Sequence, residues 1–336
     1  MRRNTLDLSR TQHTRLDLDC IFAAGRHKHC PILEYSKLIE AYNIMFKIHC
    51  RRVLSLTLTI CLLIAPSSAF AEQRFYNPLA SELVKAMSGK HRSARNAVRD
   101  KYRHPLETLH FFELQPNMTV VEIWPGAEGW YTEILAPLLR KNGKLYAAHF
   151  SPKSDIQFFT KSLAAFKKKL AKHRRIYNRV TVTTLQPPDQ LEIAPAESAD
   201  RVLTFRNVHN WMKSGVENQV FKAMFRALKP GGILGVVEHR GIPDKPQDPA
   251  AASGYVTEAY IIALAEKNGF ETIGHSDINV NSKDTKNYPA GVWTLPPTLR
   301  LKDIDREKYL AIGESDRMTL KFRKPVIQPV SSLKQE

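Results

Sequence analysis

A short β-branched strand that runs directly into a glycine turn and a helix constrains the fold more than any other stretch of this chain. Residues 120–139 read VVEIWPGAEGWYTEILAPLL. Glu122 closes the apolar strand, Gly126 and Gly129 follow at the turn, and an amphipathic pattern continues to residue 140. Such a turn between a buried strand and a helix N-terminus lets a ligand approach bare backbone, where free N–H groups can bind it. The dinucleotide fingerprint GxGxxG is absent. Glu122 and Glu128 at this turn would also repel a pyrophosphate, which argues against NAD and FAD and for a ligand without phosphates.

The same strand-then-helix alternation continues downstream. Helical patterns over 78–114 precede the first strand at 119–124. A helix over 130–140 leads to a second strand ending near Phe150, and VTVTTL (180–185) and ADRVLTF (199–205) read as strands three and four. A helix over 215–228 presents Val216, Val220, Met224 and Leu228 on one face. LKPGG turns into a buried fifth strand, a helix over 250–268 stops at Gly269, and strands follow at FETIGHSDINV and RMTLKF (317–322). Strands alternating with helices imply parallel βαβ units in a three-layer α/β domain. Ligands in such sheets bind at the carboxyl ends of the strands, beside the switch point.

The N-terminus reads differently. Residues 1–44 are polar and aperiodic, and are expected to be a non-native or disordered extension with Met45 as the true start. Residues 45–71 have the form of an export signal: Lys47, Arg51 and Arg52, then an uncharged run over 53–65, then Ala69-Phe70-Ala71 before Glu72. That run is short of the ~20 residues needed to span a bilayer. All four cysteines (Cys20, Cys30, Cys50, Cys61) precede Glu72. A mature periplasmic or secreted chain would therefore have no disulfide, thiolate nucleophile or Cys-ligated zinc. The expected layout is N-terminal helices over 72–118, a catalytic domain over 119–325 and a flexible tail over 326–336.

The formal net charge is +17. Much of the excess lies in residues 161–179, where Leu163, Phe166 and Leu170 recur at helical spacing and leave the basic residues on one face. A solvated face and contact with an anionic membrane surface are both open readings. Nucleic acid is not expected, because no stacking aromatics interleave these charges.

Several motifs together carry a resemblance. The E-x-x-x-G-x-x-G turn resembles motif I of class I S-adenosylmethionine (SAM) methyltransferases, and LKPGGILGVVE and AEKNGFETI are similar to the later steps of that fold. More narrowly, YRHPLETLHFFEL, EIWPGAEGWYTEILAP, FRNVHNW, GVWTLPPTLRL and IGESDRMTLKF resemble a family of exported bacterial predicted methyltransferases, over about residues 74–325. The resemblance implies a Rossmann-like α/β fold with a seven-stranded, mostly parallel sheet, an antiparallel last strand and helices on both faces. SAM would lie over strands one to four.

It further places Glu122, Gly126, Gly129, His149, Arg206 and Asn207 against the cofactor. His149 stands where most of the superfamily has an acid for the ribose hydroxyls, and an imidazole loses the paired acceptor geometry. The Arg-Asn pair echoes one found there in quinone-biosynthesis C-methyltransferases. Each residue has a plainer alternative: a loop clamp for Glu122, turn geometry for the glycines, and capping or core hydrogen bonding for Asn207 and Asn210. Asn210 and Trp211 are candidates for substrate contact, as are Tyr255 and Glu258, which share a helix face at i, i+3. His209 and His239 are candidate bases, since imidazole titrates near neutrality. His104, His149 and His209 lack metal-ligand spacing, and no metal is expected. The expected function is methyl transfer to an unidentified small molecule. A non-catalytic binding protein on the same fold is the alternative, and the sequence leaves the oligomeric state open.

Overall fold

The computed structural model describes residues 78–326, all within a unit spanning Glu72–Glu336. The expected extension, export signal and most of the expected tail lie outside the described residues. Four helices come first: α1 (Pro78–Met87), α2 (Ala94–Ala97), α3 (Asp100–Arg103) and α4 (Pro105–Phe111). Pro105 sits at the first position of α4, where its missing N–H costs nothing and its fixed φ suits a helix.

The sheet then alternates with helices: β1 (Thr119–Ile123), α5 (Thr132–Leu139), β2 (Lys144–His149), α6 (Gln157–Lys172), α7 (Arg174–Tyr177), β3 (Val180–Thr184), β4 (Ala199–Phe205), α8 (Val208–Lys213), α9 (Glu217–Ala227) and β5 (Leu228–His239). The remainder is α10 (Glu258–Lys267), β6 (Glu271–Ser276), a 3-10 turn (Gly291–Thr294), α11 (Arg306–Ile312) and β7 (Arg317–Arg323). The strand order is β3-β2-β1-β4-β5-β7-β6. β1 pairs in parallel with β2 and β4, while β7 is antiparallel to both β5 and β6. This is the Rossmann-like class I methyltransferase arrangement, an α/β sheet with one reversed strand inserted near its edge.

The strands are apolar on both sides because both sheet faces are covered. Val121 and Ile123 point to one layer with Val202, Val236 and Leu320, packed under α8, α9 and α10 through Trp211, Phe221 and Ile261. Val120, Leu203 and Val237 point to the other, under α1, α4 and α5 through Leu83, Leu109 and Ile134. Burying one such aliphatic side chain contributes about 1.5–3 kcal/mol.

The expected basic helix is present but starts earlier, at Gln157, and breaks at His173. Lys161, Lys167, Lys168 and Lys172 are exposed. Lys169 instead donates to the Glu128 carbonyl and the Glu133 carboxylate, binding the helix to the β1 turn. Among the described residues no helix is long and apolar enough to cross a membrane.

Candidate active site

The chain reverses its direction of travel across the sheet between β1 and β4, and a cavity of about 800 Å³ opens there, at the carboxyl ends of the parallel strands. Its two halves differ in chemistry. Toward β1 and β2 the wall is aromatic: Trp124, Phe150, Phe158 and Phe159. Phe150 stacks on Phe159 with centroids 4.0 Å apart, and Trp124 packs at 4.6 Å from Phe150. Toward β4, β5 and β7 the wall is polar and charged, with Arg99, Arg103, Arg206, His209, His239 and Glu314.

The β1 turn forms part of the floor. Trp124 adopts a left-handed conformation (φ 44°), and its indole N–H donates to the Leu185 carbonyl at 3.0 Å, fixing the ring across the end of β2. Gly126 also has positive φ (69°), and a Cβ there would meet no atom within 4 Å, so its backbone faces open cavity. Gly129 serves packing instead: a Cβ would lie 2.8 Å from Phe166. It is absent from the cavity lining.

Glu122 and His149 also lie beneath the turn and do not line the cavity. Glu122 is buried and accepts from the Thr132 hydroxyl at 2.6 Å, holding the start of α5. Burial raises its pKa to about 7, against the opposing effect of Thr132. His149 accepts the Phe150 N–H at Nδ1 (2.8 Å), so its proton sits on Nε2, which donates to the Gly126 carbonyl at 3.3 Å. Burial lowers its pKa to about 4, and it is neutral at pH 7. His149, expected at the ribose hydroxyls, therefore supports the turn from below.

Beyond β4, Arg206 has positive φ (62°) and turns the chain toward the cavity. Asn207 donates to the Ile123 carbonyl at 3.0 Å and to the Thr204 hydroxyl at 3.2 Å, joining the ends of β1 and β4. Glu238, at the end of β5, is fully buried. It accepts from the backbone N–H groups of Val208 (2.7 Å) and His239 (2.8 Å), and from His209 Nδ1 at 3.0 Å. His209 thus carries its proton on Nδ1, and its basic Nε2 is left on the cavity side. His239 lies beside it, with ring centroids 5.3 Å apart, and bonds Ser315 Oγ at 2.6 Å. Burial, then His209 and Arg206, hold the His239 pKa well below its ordinary value. Asn210 is exposed at the cavity rim.

Donor atoms of His209, Glu238 and His239 lie within 4.8 Å of one another, a spacing that can hold a cation. Glu238 is already occupied by backbone amides and His209, and the adjacent guanidiniums oppose a further positive charge.

Of those guanidiniums the sequence pointed only to Arg206; Arg99, Arg103 and Arg317 were missed, as was the carboxylate they share. Glu314, in the turn before β7, is bonded by Arg99 Nε (2.5 Å), Arg103 Nε (3.2 Å) and Arg317 Nη2 (3.1 Å), with Arg206 Nη1 at 3.9 Å. Burial works to raise the Glu314 pKa, but Arg317, Arg103, Arg99 and Arg206 outweigh it and hold the group well below the usual carboxylate range. Arg206 is pushed down to about 10 by burial and by Arg317. The local signal was the i, i+4 spacing of Arg99 and Arg103, and nothing nearby pairs them with a residue 215 and 211 positions away. Trp293, from the 3-10 turn, was missed likewise and packs 5.9 Å from His209.

Three of the four expected substrate contacts also lie away from the cavity. Trp211 is fully buried in the core under β4, because α8 turns its apolar face to the sheet. Tyr255 precedes α10, which starts only at Glu258, and its hydroxyl donates to Asp284 at 2.9 Å. Glu258 points to Arg240 and His275. The two do not share a helix face, because Val256 is drawn into a bridge with Arg240.

No protein-family model matches this chain, and no curated protein matches its sequence. Solved structures do. A SAM-dependent methyltransferase from Aquifex aeolicus is 16% identical, with 73% of this chain and 98% of that one covered and a TM-score of 0.45. The [4+2]-cyclase SpnF is 16% identical over 74% of this chain and 93% of its own, at 0.46. A precorrin-6y C5,15-methyltransferase from Geobacter metallireducens is 16% identical over 66% and 88%, at 0.39. The narrower resemblance to exported bacterial proteins has no counterpart in these comparisons.

Proposed function

We propose that this chain is a SAM-dependent methyltransferase acting on a small molecule. The observation that carries the reading is the cavity at the switch point of a class I sheet, floored by Gly126, where a Cβ would project into open space. When bound, SAM supplies an electrophilic methyl group on a cationic sulfur. Gly126 and Asn207 would hold its amino-acid end. The rings of Trp124, Phe150 and Phe159 would receive the adenine and favour the sulfonium charge, as aromatic faces attract cations.

His209 would take the proton of the attacking group. Its Nδ1–H is fixed on the Glu238 carboxylate, which orients Nε2 toward the cavity and stabilises the imidazolium that forms. Most of the remaining acceleration would come from positioning in a closed pocket. Isothermal titration of SAM and S-adenosylhomocysteine into the folded full chain tests the reading, with micromolar affinity expected. Absence of saturable binding of either would overturn it.

One observation favours a second reading. β2 ends in His149 rather than an acid, and that histidine is turned under the β1 turn, so no carboxylate at this strand end holds the ribose hydroxyls. A protein that binds a ligand without transferring a methyl group is consistent with that. It would bind S-adenosylhomocysteine but form none from SAM in the presence of a broad acceptor set. Export is also part of the proposal. Intact mass of the native protein should start at Glu72, and a chain retaining residues 1–44 would refute it.

A further inference from the structure

The polar half of the cavity holds more positive charge than it neutralises. Four guanidiniums, those of Arg99, Arg103, Arg206 and Arg317, converge on the single carboxylate of Glu314. The neighbouring acid, Asp316, is engaged by Lys286 at 2.8 Å. Arg103 is only 2% exposed, and its Nη1 is buried with no hydrogen-bond partner. A buried, unpartnered charged donor is costly unless something completes it. Arg99, Arg103, Arg206 and Glu314 all line the cavity, and Ser315 beside them holds His239.

We propose that this cluster is an anion-binding subsite, and that the molecule methylated here carries a carboxylate or phosphate seated between Arg103, Arg206 and Arg99. The inference rests on the methyltransferase reading for the word methylated, but not for the binding of the anion. Position assigns the anion to the acceptor. The cluster stands over β4, β5 and β7, whereas the aromatic wall and Gly126 stand over β1 and β2. Guanidinium forks match carboxylate and phosphate oxygens in pairs, so the subsite would fix orientation as well as charge. An acid held there places the rest of the acceptor beside His209 and His239.

The test uses inorganic phosphate and succinate as probes, titrated into the full chain with and without saturating S-adenosylhomocysteine. Saturable binding is expected, unchanged by S-adenosylhomocysteine. Affinity should fall at least about tenfold in Arg103→Gln and Arg206→Gln, be partly kept in Arg206→Lys, and stay unchanged in Lys172→Gln. Glu314→Gln should bind phosphate more tightly, which a purely structural role for the cluster would not produce. Should Arg103→Gln fail to fold, Arg206→Gln carries the test, since its side chain is 23% exposed.

No saturable anion binding, or binding that survives both glutamine variants, overturns the inference while leaving the methyltransferase reading intact. Competition between phosphate and S-adenosylhomocysteine overturns the assignment to the acceptor, because the guanidiniums would then serve the cofactor's own carboxylate. Anion binding without any affinity for S-adenosylhomocysteine keeps the subsite and removes the methyltransferase reading.

Discussion

On the β1–β2 side of the cavity, rings from consecutive stretches of chain stack on one another, and the polar groups beneath them are bonded within the turn and to the start of α5. On the β4–β7 side, four guanidiniums from three separate parts of the sequence meet around one carboxylate, and a donor is left over. The first half is suited to a flat, weakly charged or cationic ligand. The second is suited to an anion. The difference shows how one sheet edge can take two unlike molecules without mixing their sites, because each half is built from different strands and a different kind of interaction.

The largest expected effect falls where the halves meet. His209→Gln should lower turnover by about 10² to 10⁴ while leaving S-adenosylhomocysteine affinity nearly unchanged, as read from initial rates and titration. A parallel loss of affinity would make His209 part of the cofactor half. Next, Glu314→Gln leaves four guanidiniums without their carboxylate and should cost about 3–5 kcal/mol of stability in urea unfolding. Added phosphate should restore part of it, and a loss under about 1 kcal/mol would mean that these charges are already solvated.

On the aromatic side, Phe159→Ala should weaken S-adenosylhomocysteine about tenfold, the scale of one stacking contact, and leave phosphate binding alone. The smallest effect is in pH. His149, near 4 when folded, binds fewer protons than in the unfolded chain, so its contribution rises with pH between about 4 and 6.5. Glu122, near 7 when folded, keeps a proton that the unfolded chain has lost, so its contribution falls with pH between about 4.5 and 7. The two oppose each other. Stability of Glu122→Gln should rise with pH by up to about 1.4 kcal/mol per unit, and that of His149→Asn should fall. Flat profiles in both variants would show that neither group titrates between the states.

What the sequence disclosed follows the range of the forces involved. β4 was legible to the residue, because ADRVLTF is a mostly apolar run that follows a proline-rich loop and ends at Arg206-Asn207. The turn at Gly126 and the Arg206–Asn210 cluster were legible because strand ends in α/β sheets place such residues at the edge. Side-chain direction was not. His149 and Glu122 were expected against the cofactor, and burial turned both beneath the turn, His149 onto backbone partners and Glu122 onto the Thr132 hydroxyl. Tyr255 was expected on a helix that begins three residues later. That Arg99, Arg103 and Arg206 share one carboxylate was invisible, since no local pattern joins them to Glu314 and they meet only when the chain before β7 is in place.

That meeting has a consequence for how the protein is made. β7 is the last strand of the sheet in the sequence, yet it lies between β5 and β6. Until it emerges from the ribosome, Arg99, Arg103 and Arg206 have no Glu314, and the sheet edge it will fill stands open. Synthesis from the N-terminus therefore delivers six strands before the one that joins β5 to β6, and the segment carrying β7 both fills that gap and brings Glu314 to the three arginines.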